Sequence, residues 1–187
     1  MLPERSRLAS SEPVAEKRAR EEGGSVGETI NGDRYRKVLG RYPTGVTLVT
    51  ATGEDGPVGM IIGSFVSVSL DPPLVGFLPA KGSQSWPLIE ATGVFCVNVM
   101  ADNQQGLVDL FVGKEGDPWA SVSFRLADSG SPIVEGAVAT IDCSIDQVVE
   151  AGDHWFVTGE VTGVECSDEG SPLVFLGGIY GGFEGLR

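Results

Sequence analysis

The sequence predicts a mainly β, antiparallel fold, a closed or partly closed barrel with a few short helices. Three observations lead to this prediction. Roughly seven or eight short runs rich in Val, Ile, Thr and Phe are separated by Gly, Asp and Pro residues. One later run alternates apolar and polar residues and is joined to the next strand by a tight turn. Long helix patterns do not separate the strands, so the parallel βαβ arrangement is not favoured.

The chain begins with a segment unlike the rest. Residues 1–30 are rich in charge, Ser and Gly and contain few large apolar side chains, so we expect a disordered N-terminal arm. Residues 31–187 should form one folded domain, since this length and a hydrophobic content of 41% allow a sizeable core. Apolar stretches of the length of a signal peptide or a membrane span are not found, so we expect a cytoplasmic protein without membrane contact.

The first predicted elements are a helix and four strands. The segment "DRYRKVLGRY" has apolar residues at helical spacing, with Asp33 as a candidate N-cap and Gly40 and Pro43 at the helix end. Four runs with the composition of strands follow: "GVTLVTAT", "PVGMII", "SFVSVSL" and "PLVGFL".

The middle of the chain predicts fewer strands. Short helices are expected in "SWPLIEAT" and "DNQQGLVDLF", on either side of the strand "VFCVNVM". The segment from "DPWASVSF" to "SGSPIVEG" predicts mostly loop. Phe111 and Asn98 are interpreted as core or strand-end residues.

The second half predicts a β-hairpin. In "AVATIDCSIDQVV" the apolar residues alternate with Thr140, Asp142, Ser144 and Asp146, so one face should be apolar and the other in water. The run "WFVTGEVTGVEC" is the second strand, and Gly152 and Asp153 form the turn. His154, the only histidine of the chain, then lies at the mouth of the hairpin. A lone histidine there is either a partly buried polar group without a chemical role or part of a site.

The net charge, the cysteines and the missing motifs argue against several classes of function. A formal net charge of -13 argues against nucleic-acid binding, because the dominant electrostatic contribution would be repulsive. Cys96, Cys143 and Cys166 form no C-x-x-C pair, and a single histidine leaves almost no ligands for a metal, so we expect no metal site. Hydrolase chemistry is poorly supported, since the sequence has no G-x-S-x-G motif and no second histidine.

A serine-rich segment could bind phosphate. Ser64, Ser67 and Ser69 recur through an apolar strand pair, and Lys81, Ser83 and Ser85 follow a double proline. Hydroxyls and an ammonium are suitable phosphate donors. The alternative is that the serines line the wet face of a strand and that Lys81 is a solvated loop charge.

Six ordered motifs resemble those of a known family. They are "RYPTGVTLVTA", "GMIIGSFVSVSLDPPLV", "KGSQSW", "FCVNVM", "AGDHWFVTGEV" and "PLVFLGGIYGG". Together, from Asp33 to Gly182, they resemble the flavin reductase family, whose members have the FMN-binding split barrel. The resemblance implies a reductase component of a two-component flavin-dependent monooxygenase. Such a protein uses NADH or NADPH to reduce FMN or FAD, which a separate oxygenase consumes.

The resemblance also implies site residues. One set would lie along the isoalloxazine and ribityl chain: Pro57, Val58, Gly59, Met60, Ile61, Gly63 and Ser64. A second set would surround the phosphate: Leu78, Pro79, Ala80, Lys81, Gly82, Ser83 and Gln84. Within it, Lys81 and Ser83 would hold the phosphate charge.

Further implied features concern the nicotinamide and the assembly. Asp153 and His154 belong to a Gly-Asp-His motif that implies His154 facing the nicotinamide, and Tyr180 would close the pocket. Gly63 departs from the family pattern, which often has an amide or a small polar side chain there, so a flavin contact would come from backbone or be missing. The family also implies a homodimer with the flavin near the interface.

Three functions remain open from the sequence. The first is an NAD(P)H:flavin oxidoreductase that supplies a monooxygenase, the second a stand-alone flavoenzyme of the same fold, and the third a non-catalytic flavin-binding protein. The Gly-Asp-His motif favours the first. The sequence does not separate FMN from FAD, or NADH from NADPH.

Overall fold

The structure is a computed structural model that describes residues 30–113 and 116–185. Among the described residues, those from Lys37 onwards belong to one compact unit. Apart from Ile30, the predicted disordered arm lies outside the described residues and stays a prediction. None of the helices in the described ranges is long and apolar enough to cross a membrane.

Twelve strands and three α-helices make up the described residues. The helices are α1 (Gly32–Leu39), α2 (Trp86–Glu90) and α3 (Gln105–Val112), with 3-10 turns at Asp102–Gln104 and Pro118–Ser121. The strands are β1 (Thr44–Gly45), β2 (Thr47–Gly53), β3 (Gly56–Ile62), β4 (Val66–Leu70), β5 (Pro73–Phe77), β6 (Val94–Val99), β7 (Phe124–Leu126), β8 (Pro132–Val134), β9 (Ala139–Ala151), β10 (His154–Cys166), β11 (Val174–Leu176) and β12 (Ile179–Gly181).

The main sheet has seven strands, ordered β3-β2-β6-β9-β10-β5-β4, and every pair in it is antiparallel. The predicted mainly β, antiparallel fold is confirmed. Two small sheets accompany it, β1-β11-β12 and β7-β8. The sequence predicts only seven or eight strands because the shortest ones are too short to show a period.

The main sheet is strongly curved. Its outer strands β3 and β4 are joined by residues 63–65 alone, and an extended chain from Ile62 to Val66 covers at most about 14 Å. Seven flat strands would place the outer two about 29 Å apart. The sheet therefore bends until β3 approaches β4. Ser64, in the connection, donates to the carbonyl of Leu78 and accepts from its N–H, at 3.3 and 3.0 Å.

The predicted N-cap of the first helix is wrong by two residues. The helix begins at Gly32, and the Asn31 side chain accepts from the Asp33 N–H at 2.8 Å. Asp33 lies in the first turn, where its carboxylate pairs with Arg36 at 3.2 Å. Both residue types suit a helix start, so local sequence alone does not choose between them.

The predicted wet face of β9 is also partly wrong. Thr140 and Asp142 are buried, at 6% and 8% exposure. The segment that the sequence predicts to be loop contains the β7–β8 pair and folds over this face. There the Asp142 carboxylate accepts from the Ser129 N–H at 3.1 Å and from its hydroxyl at 2.5 Å. A carboxylate with such partners tolerates burial.

The hairpin of β9 and β10 is as predicted, and it packs on the core through a glycine. The turn at Gly152 and Asp153 pairs His154 with Ala151, and Gly152 has a φ of +66°. Further along β10, a Cβ on Gly159 would lie 2.3 Å from Cζ of Phe95. Phe95 packs edge-on against Phe77 at a centroid distance of 5.2 Å. The close packing of these rings requires glycine at 159.

Two of the three cysteines are unreactive by position. Burial raises the pKa of the Cys96 and Cys143 thiols to about 12 each, with the Asp142 carboxylate adding to the effect. Cys166 is exposed. Because the thiolate is the nucleophile, we expect iodoacetamide at pH 8 to label one thiol per native chain and all three after unfolding. Mass spectrometry checks this, and fast labelling of a native Cys166→Ser variant would contradict it.

Candidate functional site

An open cleft of about 530 Å³ lies where β3, the segment after β5, α3 and the start of β10 meet. It is lined by Gly59, Met60, Ile61, Ile62, Gly63, Ser64, Leu78, Ala80, Ser83, Ser85, Phe111, Val112 and His154. Its volume falls in the range of small-molecule sites, roughly 300 to 1,000 Å³. The cleft combines an apolar wall with three serine hydroxyls and one imidazole.

Backbone hydrogen bonds hold the hairpin mouth against the cleft. The segment after β5 pairs with the start of β10 through a bridge between Ala80 and His154. The Trp155 N–H donates to Pro79 and the Lys81 N–H donates to Asp153, both at 2.9 Å. His154 is thereby fixed at the cleft edge by main-chain contacts on both sides.

Asp153 sets the proton position on His154. Its carboxylate lies 2.7 Å from the His154 Nδ1, and the hydrogen bond and charge of His154 lower the pKa of the Asp153 carboxyl. An ionised carboxylate only accepts, so Nδ1 carries a proton. The second ring nitrogen, Nε2, is then the atom that His154 can offer to a ligand. The imidazole side chain is 40% exposed.

The apolar wall depends on a glycine in β3. A Cβ on Gly59 would lie 2.9 Å from Cε1 of Phe111 and 3.1 Å from Cζ2 of Trp119. Phe111 and Trp119 pack edge-on at 5.1 Å. Because Gly59 has no side chain, α3 approaches the strand closely enough for Phe111 and Val112 to line the cleft.

The polar side of the cleft carries three hydroxyls. Ser64 is bonded to Leu78, as described above. Ser83 accepts from the Trp86 N–H at 3.2 Å, and its own N–H donates to Ala80 at 2.9 Å, which closes a tight turn. Ser85 directly precedes α2. The Ser83 hydroxyl accepts the bond from Trp86 and can still donate its proton to a ligand, whereas the Ser64 hydroxyl already donates to Leu78 and can offer a ligand its second lone pair.

Lys81 lies beside the cleft and does not line it. Its ammonium pairs with the Glu150 carboxylate and sits 5.1 Å from the centroid of the Trp155 ring. The hydrogen bond from Lys81 lowers the pKa of the Glu150 carboxyl, so this carboxyl is ionised at neutral pH. The side chains are 30% and 71% exposed, respectively.

The cleft brings together nine of the residues that the family resemblance implies. These are Gly59, Met60, Ile61, Gly63, Ser64, Leu78, Ala80, Ser83 and His154. The other implied residues, Pro57, Val58, Pro79, Lys81, Gly82, Gln84, Asp153 and Tyr180, lie outside the lining. Ser67 and Ser69, on β4, are also outside it.

Three residues named in the sequence analysis have side chains that pack in the interior and do not line the cleft. Val58 packs against the main core cluster. Tyr180 lies on β12, 5.1 Å from the Phe175 ring, and packs against a second cluster. Asn98 is fully buried, and its amide donates to Leu48 and Pro132 at 3.2 Å, so its predicted core role is confirmed.

Three lining residues were not assigned from the sequence: Ile62, Phe111 and Val112. Ser85, predicted as one of the possible phosphate donors, also lines the cleft. Phe111 packs on the core as predicted and also reaches the cleft. The usable signal was Gly59, since a glycine inside a strand marks a close approach. A second groove of about 520 Å³, between β7, β8 and β10, contains none of the implied residues.

Comparison with known proteins decides the family. The flavin reductase like domain matches residues 39–184. The chain belongs to this family. A flavin reductase of Pseudomonas putida is 51% identical over 162 residues, which span 86% of this chain and 95% of that protein. The resemblance seen in the six motifs is confirmed.

Solved structures of the flavin reductase family have the same fold. Nitrilotriacetate monooxygenase component B of Mycobacterium thermoresistibile is 45% identical with a TM-score of 0.79, over 81% of this chain and 86% of that one. NADH:FAD oxidoreductase SgcE6 of Streptomyces globisporus C-1027, in complex with NAD and FAD fragments, is 34% identical with a TM-score of 0.78. That match spans 84% of this chain and 98% of the other.

Proposed function

We propose that this chain uses NADH or NADPH to reduce FMN or FAD, and that the reduced flavin leaves to serve a separate monooxygenase. The observation that carries the proposal is the cleft, in which His154, an apolar wall and three hydroxyls converge in a member of the flavin reductase family. The similarity to a monooxygenase component supports the partner.

The donor set of the cleft fits a flavin nucleotide. A flavin has a largely apolar ring system and a phosphate-bearing chain, and the cleft offers Met60, Ile61 and Phe111 together with hydroxyl donors. Ser64, Ser83 and Ser85 would hold the polar chain, and Lys81 would reach the phosphate from the cleft edge. When both are bound, the nicotinamide supplies a hydride and the flavin accepts it.

The protein's task is to bind and orient. The apolar wall would exclude water from the flavin ring. On that side of the cleft it would bind the ring in preference to the polar, phosphate-bearing chain of the flavin. His154 would orient the nicotinamide carboxamide through Nε2, because Asp153 occupies Nδ1. A nucleophile or a carboxylate pair is not needed for this chemistry.

The proposal also covers the location of the protein in the cell, its domain and its oligomeric state. We place the reaction in the cytoplasm, where nicotinamide nucleotides are available, and assign it to one domain formed by residues 31–187 in a split-barrel arrangement. The curvature of the main sheet supports that arrangement. A homodimer with the flavin near its interface follows from the family and stays a prediction, which analytical ultracentrifugation would test.

The test of the proposed function is steady-state oxidation of NADH and NADPH with FMN, FAD and riboflavin added in turn. We expect catalytic oxidation of at least one nicotinamide nucleotide that depends on added flavin and saturates with it. Flavin binding without oxidation would indicate a flavin-binding protein instead. Flavin retained through dialysis, with turnover only of a further substrate, would indicate a stand-alone flavoenzyme.

Lys81→Ala should weaken binding of FMN more than it slows reduction. A charge-assisted phosphate contact contributes about 1.5 to 3 kcal/mol, and the free energy of the exposed Lys81–Glu150 ion pair that it replaces is subtracted from this. We therefore expect a roughly 10-fold higher Kd for the variant. The contact is the same in the ground and transition states, so the reduction rate at saturation should change little. Flavin fluorescence titration measures the Kd. Equal loss of affinity for riboflavin, which has no phosphate, would contradict the assignment.

A further inference from the structure

Cationic side chains are few in the described part of the chain that follows Tyr42. Between Pro43 and residue 185, the described residues carry two cationic side chains, Lys81 and Arg125. Arg125 pairs with Glu165 in the groove beside β7 and β8, outside the cleft. Lys81 follows Ala80, which lines the cleft. Of these two cations, Lys81 is the one whose neighbour in the chain lines the cleft.

The Lys81 ammonium already has an anionic partner. Glu150 is the register partner of Trp155 across the hairpin, and the Lys81 side chain lies over Trp155 while pairing with Glu150. The main-chain bond from Lys81 to Asp153 fixes the base of the side chain against the same hairpin. Cation, ring and carboxylate therefore form one unit at the hairpin mouth.

We propose that Glu150 competes with the flavin phosphate for the Lys81 ammonium and so keeps the flavin exchangeable. This inference rests on the proposed function. A bound phosphate must displace the carboxylate or share the ammonium with it, and in both cases two anions approach one cation. The Trp155 ring stays beside the ammonium while its anionic partner is exchanged.

The arrangement suits a protein that must release its product. Glu150 is 71% exposed, so its carboxylate can leave the ion pair for water without a burial penalty. When the flavin departs, Glu150 returns to Lys81 and satisfies the charge that the phosphate leaves. Glu150 is thus a residue that sets flavin affinity and release, and it takes no part in the hydride transfer.

The experiment is a Kd comparison of FMN and riboflavin for the full chain and three variants: Glu150→Gln, Lys81→Ala and the double variant. Glu160→Gln is the matched control, since it removes the same charge from an exposed position of β10. Glu160 lies about 20 Å along the strand from His154. We expect Glu150→Gln to bind FMN roughly 3- to 10-fold more tightly, with riboflavin unchanged. The gain should shrink in high salt and vanish in the Lys81→Ala background.

The outcomes distinguish a failure of the role of Glu150 from a failure of the proposed function. Unchanged or weaker FMN binding by Glu150→Gln, or an equal gain for riboflavin or for Glu160→Gln, would overturn the role of Glu150. A wild-type chain that binds FMN and oxidises NADH would leave the proposed function standing in that case. If wild type neither binds a flavin nor oxidises NADH or NADPH, the proposed function itself fails. Stopped-flow release of FMN, slower in Glu150→Gln, is the second expected result.

Discussion

His154→Ala is expected to slow flavin reduction by NADH on the order of 10- to 100-fold at limiting NADH, while the Kd for flavin changes little. The reason is positional, since main-chain bonds at Ala80 and Trp155 fix His154 at the cleft edge and Asp153 fixes its Nδ1 proton. An alanine there leaves the nicotinamide without its partner. Anaerobic stopped-flow absorbance of the flavin at several NADH concentrations measures the effect.

The competing interpretation of His154 makes the opposite prediction. A histidine that only satisfies local structure would, on removal, cost stability of about 1 to 3 kcal/mol and leave reduction unaffected. The melting temperature and flavin Kd of the same variant distinguish the two. Asp153→Asn is the matched comparison, because it removes the carboxylate while keeping the imidazole. A destabilised His154→Ala variant that reduces flavin at the normal rate would contradict the assignment.

Phe77→Ala should give the largest loss of stability. Phe77 is fully buried and contacts Trp86 and Phe95 edge-on, at centroid distances of 5.8 and 5.2 Å. Removing such a ring leaves a cavity and costs about 3 to 5 kcal/mol. For a domain of this size the melting temperature should fall by about 6 to 20 °C. Thermal unfolding followed by circular dichroism measures the change.

A second phenylalanine provides the control. Phe183 is 67% exposed, so Phe183→Ala should change the free energy of unfolding by no more than about 0.5 kcal/mol. The effect of Phe77 also bears on the site, since β5 ends at Phe77 and Leu78 begins the segment that lines the cleft. Similar melting temperatures for the two variants would show that the core does not depend on this ring cluster.

The hairpin was predictable because its signals are local. The alternation in β9, the Gly152 turn and the β-branched run in β10 lie next to one another in sequence. The burial of Asp142 was not predictable, because its cover comes from Ser129 in a segment without strand periodicity. Burial of a polar face depends on what packs over it, which a single strand does not encode.

The site was predictable in its types of residue and less so in its contacts. The motifs name Gly59, Ser64 and His154, and the fold brings all three to one cleft from β3, from the connection after it and from the start of β10. The pairing of Lys81 with Glu150 joins residues 69 positions apart, and it depends on the register of the hairpin beside the segment after β5. Register and side-chain direction at that distance are tertiary properties, so a sequence pattern gave no sign of the pair.

The most direct test of the central claim is whether reduced flavin leaves the protein. The chain, at low concentration, is mixed anaerobically with a large excess of FMN or FAD and of NADH or NADPH, and the protein is removed by ultrafiltration. The proposed function predicts many equivalents of reduced flavin per chain in the filtrate, far more than forms without protein. Reduction limited to about one equivalent that stays with the protein, or no reduction with any of the four pairings, would contradict it.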